Sequence, residues 1–69
     1  MKTREITEMK INDQFMVEYG DYENWVTAVI KDIRPTEYDH IKIVDYTVPK
    51  YRGDHIFTKR MLYVKVREI

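Results

Sequence analysis

Cysteine and serine are both missing from this chain of 69 residues. Without cysteine no disulfide can staple the fold and no thiolate can bind zinc. Two common catalytic nucleophiles are absent as well. Gly20 and Gly53 are the only glycines, too few for a glycine-rich phosphate loop. The opening Met1-Lys2-Thr3-Arg4-Glu5 lacks the apolar run of a secretion signal. No segment approaches the ~20 apolar residues that span a bilayer. These absences favour a soluble, cytoplasmic, non-enzymatic protein with no membrane association, no metal and no cofactor. Net charge is missing too, since twelve basic and twelve acidic side chains cancel.

What is present organises into a single domain, 1–69. A chain this short buries only roughly 60% of its unfolded surface, so its stability margin is thin. Two adjacent runs dominate it, Asn24 to Ile33 and His40 to Val48, joined by a polar loop from Arg34 to Asp39. Both read as strands. In the first, Val26, Ala28 and Ile30 share one face, and Trp25, Thr27, Val29 and Lys31 the other. Strict alternation would then turn Ile33 outward, so a β-bulge near Lys31-Asp32 is expected. In the second, Ile41 and Ile43 share a face before the apolar series switches to Val44, Tyr46 and Val48. That switch implies another bend. Gln14 to Tyr19 alternates with Phe15 and Val17 on one face. Leu62, Val64 and Val66 point inward along the last strand, with Tyr63, Lys65 and Arg67 outward. Asn12-Asp13 marks a turn. Residues 1–12 form an arm that is either a short helix on Ile6 and Met9 or an edge strand over Arg4 to Thr7.

Five strands follow, at 14–19, 25–33, 41–48, 55–58 and 62–67, a spacing that suits a small barrel or sandwich. The expected core is Phe15, Val17, Val26, Ala28, Ile30, Ile43, Val64 and Val66. The run Trp25-x-x-Ala28-x-Ile30-x-x-Ile33, followed by Lys42-Ile43-Val44-Asp45-Tyr46, resembles Tudor-type domains, small antiparallel barrels of the Src-homology-3 fold. The resemblance covers about 13–66 and implies an all-β, five-stranded barrel with a short N-terminal extension. It also implies an aromatic cage for a methylated cation. Trp25 and Tyr46 would be its walls, Asp45 would lie near the cation, and Tyr19, Tyr22 and Tyr51 would complete it. Thr47-Val48 stands where the family usually has Gly-Asn.

Two partner classes remain open. One is another protein, met by Tyr22, Trp25, Asp45, Tyr46 and Tyr51; surface tyrosines make good anchors because an apolar body carries a polar tip. The other is nucleic acid. The first 24 residues hold three bases and six acids, whereas Lys50 to Arg67 holds six bases and only Asp54. Lys50, Arg52, Lys59 and Arg60 would contact phosphates there, interleaved with Tyr51, Phe57 and Tyr63. Equally, opposite charges can simply attract between neighbouring strands. Asp32 and Asp45 either form a carboxylate pair, or each faces water or pairs with Lys31, Lys42 or Arg34. His40 and His55 belong to solvated strand ends. An exposed edge would permit a homodimer. In size and make-up the chain also resembles the small early proteins with which phages inhibit or adapt host machinery.

Overall fold

The computed structural model describes the backbone of residues 2–19, 24–51 and 55–69, and the side chains of 2–18, 25–48 and 58–69. Among these the chain is all-β apart from one short 3₁₀ turn. Its strands are β1 (Thr3–Glu5), β2 (Gln14–Tyr19), β3 (Asn24–Pro35), β4 (Lys42–Tyr51), β5 (His55–Tyr63) and β6 (Lys65–Arg67). They form one antiparallel sheet in the order β1-β6-β2-β3-β4-β5.

The described strands number six rather than five. The arm supplies the extra one and resolves its own ambiguity by doing both things. Thr3–Glu5 pairs along β6, and Ile6–Glu8 then makes the 3₁₀ turn that carries Ile6 into the core. The Ile6 amide donates to the Val64 carbonyl at 2.9 Å. The Asn12-Asp13 turn is pinned at both ends. The Lys10 amide donates to the Asp13 carboxylate at 2.9 Å, and Asn12 takes φ 76°, a left-handed conformation that asparagine tolerates better than most residues. The Asn12 amide donates to the Ile30 carbonyl, so the turn is stitched to β3.

Phe15, Val17, Ala28, Ile30 and Val66 are buried as the periodicity implies. The expected bulge is present, because the β3–β4 register shifts between Ile30 and Asp32. It returns Ile33 to the core side, opposite Val44. Val26 packs against the core only partly buried, and the inward readings of Ile43, Leu62 and Val64 need correcting. Ile43 is only partly buried, and the inward face of β4 is Val44, Tyr46 and Val48. Leu62 and Val64 are exposed, and Tyr63 packs inward instead. The cause is a bend at Val64, the single residue between β5 and β6. It reverses the phase of the last strand, so Tyr63 and Val66 both reach the core although an odd number separates them.

That bend shapes the whole sheet. β5 lies at one end of the strand order and β6 near the other, yet one residue joins them. Two residues of extended chain span only about 7 Å, so the sheet curls until its ends approach. Phe15 of β2 and Tyr63 of β5 meet across the interior, with ring centroids 5.5 Å apart, edge to face. Tyr46 completes the group at 5.4 Å from Phe15.

Candidate functional site

The ends approach but do not join. Among the described residues β5 pairs only with β4, and β2 meets β6 only at Met16 and Arg67. Continuing that register would set Glu18 opposite Lys65, but the strands have parted by then. The resulting seam is a groove of about 340 Å³. Its two walls come from opposite faces of the sheet. From β2, β3 and β6 it receives outward side chains, Met16, Glu18, Trp25, Lys65 and Arg67, beside the buried Val17 and Val66. From β5 it receives inward ones, because Lys59 and Met61 lie directly opposite the buried Tyr46 and Val44, and opposed antiparallel residues share a face. Only an unclosed seam exposes both. Lys59 is exposed and Met61 is 43% exposed despite this inward aim.

Inside the groove, the Arg67 guanidinium sits 4.0 Å over the Trp25 ring, a cation–π contact worth roughly 0.5–1 kcal/mol at an exposed site. The Tyr46 hydroxyl donates to the Met61 sulfur at 3.5 Å. Burial pushes the Tyr63 phenol above its ordinary range, and the Tyr46 hydroxyl beside it adds to the shift. Lys59, Lys65 and Arg67 face one acid, Glu18, so the groove carries positive charge in a chain that is neutral overall. Lys65 also stands 3.8 Å from Glu5, its cross-strand neighbour, an ion pair between early and late segments.

Of the residues expected in a cage, Trp25, Asp45 and Tyr46 have described side chains; Trp25 and Tyr46 both line the groove and Asp45 does not join them. Tyr46 is 3% exposed and belongs to the core, reaching the groove at its edge. Asp45 points to the outer face, where Arg60 grips it with two hydrogen bonds of 2.6 and 3.1 Å. The paired guanidinium holds the Asp45 carboxyl below the usual carboxylate range, and Asp45 raises Arg60 in turn. Asp32 is the register partner of Asp45. They are not a bare carboxylate pair, since Arg34 lies 2.9 Å from one and 3.8 Å from the other. Trp25 is 40% exposed and stays available.

The basic set divides likewise. Lys59 joins the groove, but Arg60, its neighbour along the strand, is on the opposite face and committed to Asp45. Tyr22 and Arg52 lie outside the described residues, as do the side chains of Tyr19, Lys50, Tyr51 and His55. Met16, Glu18 and Met61 line the groove without having been candidates from the sequence, and Tyr63, expected as an outward stacking residue, reaches it from the inward face. Tyr63 and Met61 were hidden by the phase reversal at Val64, and Met16 by its place on an outward face.

A second hollow, about 220 Å³, lies between Met9, Phe15 and the β1–β6 end. Its charges are spent on each other, Arg4 standing 3.6 Å from Glu68. Among the described residues no group of His, Asp or Glu could hold a metal ion, and no helix is long and apolar enough to cross a membrane. Comparison of the chain with family models, curated proteins and solved structures returns no match.

Proposed function

We propose that this chain is a small, non-enzymatic binding module that captures another protein through the seam groove. The observation that carries this reading is the groove's make-up. Two methionines and exposed aromatic surface are framed by three cations, at a place where the core is open. Aromatic and arginine side chains are the usual anchors of protein contacts, and methionine repacks around varied partners. We read the curled sheet as a small barrel of the Src-homology-3 kind, incompletely closed. A cytoplasmic inhibitor or adaptor of a host protein, of the phage type, fits such a module. A methyl-cation cage does not fit it, because the groove is positive and Asp45 is engaged by Arg60.

A nucleic-acid partner is the second reading, favoured by Lys59, Lys65 and Arg67 beside Trp25. It ranks below the first because so few cations are gathered. Each phosphate contact contributes one increment of salt-dependent affinity, and Arg60 is already neutralised. The test is capture from bacterial lysate by the immobilised protein and by Trp25→Ala. The expected outcome is a captured protein that the variant loses by about thirtyfold, the size of an anchor contact. Equal capture by the variant overturns the groove as the site. If single-stranded DNA binds at low salt with affinity falling steeply as salt rises, the second reading replaces the first.

A further inference from the structure

We propose that the groove takes its partner as an added β-strand: an extended, acidic segment of a partner protein lies along the free edge of β5. This deepens the protein-binding reading and rests on it. The first support is backbone. β5 runs for nine residues, His55–Tyr63, at the end of the strand order. Among the described residues nothing pairs with its far edge, and an edge that long ordinarily invites pairing. On the opposite bank β2 has lost β6 beyond Met16, so its own edge is open at Val17 and Glu18. A strand entering the seam meets open backbone on both sides, the geometry that strand addition uses for affinity.

The side chains say which strand. Lys59, Met61 and Tyr63 alternate along the inward face of β5. An added strand in register would set an acid near Lys59 and an apolar side chain over Met61 and Tyr63. Arg67 reinforces the preference for acid from the other wall, where Lys65 is shared with Glu5. The same charges argue against a second copy of this chain. Two β5 edges brought together would confront Lys59 with a basic strand, and an inward charge on an edge is a known device against self-pairing. β5 is also held ready, because the Arg60–Asp45 bonds on its outer face fix its register on β4 before any partner arrives. Preorganisation of this kind lowers the ordering cost of binding.

The probe is a random octapeptide library selected against the full chain. A mixed-sequence single-stranded DNA 12-mer is run in parallel. The expected outcome is enrichment of acidic peptides with alternating apolar residues, which protect the amides of 59–63 from hydrogen exchange. N-methylation of alternate peptide bonds should weaken binding at least tenfold, because it deletes ladder hydrogen bonds and leaves side chains intact. Lys59→Glu, checked as folded by its amide spectrum, should also weaken it at least tenfold. Peptides that shift Trp25 and Arg67 signals but bind equally well when N-methylated overturn strand addition and leave the binding module standing. Enrichment of neutral or basic peptides overturns the acidic-strand assignment. No enrichment, or a shift with the DNA alone, overturns this proposal and the protein-binding reading together.

Discussion

Asn12 and Tyr63 show most directly what single residues contribute. Asn12 holds φ 76° in the turn stitched to β3. A left-handed residue with a Cβ costs roughly 1–2 kcal/mol, less for asparagine and nothing for glycine. Asn12→Ala should therefore lose about 1 kcal/mol in urea unfolding, while Asn12→Gly stays within about 0.5 kcal/mol of the parent. Tyr63 carries a raised phenol, caused chiefly by burial. A raised folded-state value stabilises the protein fully below the unfolded value of about 10, and that contribution fades as pH climbs toward the folded one. Stability measured by denaturant should hold through neutral pH and fall above pH ~10, with a shallower fall in Tyr63→Phe. The Asp32–Arg34–Asp45–Arg60 set is a different matter. Its arginines are exposed, and ion pairs there stabilise little. Their use is to fix how β3, β4 and β5 align.

At the scale of elements, the decisive pieces are the shortest. The 3₁₀ turn Ile6–Glu8 spans three residues, yet Ile6 is fully buried. It caps one end of the core beside Met9. Ile6→Ala should cost about 2–5 kcal/mol by lost burial and the void left behind. In a domain this small that loss is most of the available stability, so thermal unfolding should shift down steeply or the fold should be lost. A parent-like melting curve would show that the arm is dispensable. Of the long elements, β2, β3 and β4 were readable from their residues, whereas β5, expected to stop at 58, runs on to Tyr63. The period of two in Gln14–Tyr19 and the phase slip at Lys31-Asp32 each have one physical cause, burial of one face, and each appears in the fold. The last strand was not readable. Leu62, Val64 and Val66 alternate cleanly, so nothing local signals that Val64 bends the chain and turns Tyr63 inward. Nor does local pattern reveal that Asp45 lies across from Arg60, because that depends on register between strands. The groove inherits both gaps. Trp25 and Lys59 were legible as candidates, while the walls that bring them together were not.

At the scale of the whole molecule, a neutral chain sorts its charge by place. The outer face of β3, β4 and β5 alternates acid and base until it cancels, and the seam keeps its cations. Among the described residues, the outer face of the curled sheet thus pairs its charges, while the seam gathers three cations with one lining acid. This sorting needs the two ends of the strand order to come close without pairing, and the one-residue link at Val64 sets that distance.

The β1–β6 ladder has a mechanical consequence. Thr3 lies opposite Arg67, and the Glu68 amide donates to the Lys2 carbonyl at 2.9 Å, so residues 2 and 68 leave this antiparallel pair side by side. Tension applied through both would peel the ladder like a zipper, loading one rung at a time instead of shearing all of them together. The rungs run inward from Thr3 toward Ile6, so the buried side chain that caps the core would be next in line once they had opened. Under a load applied at residues 2 and 68 the fold would yield at low force, beginning at the β1–β6 ladder.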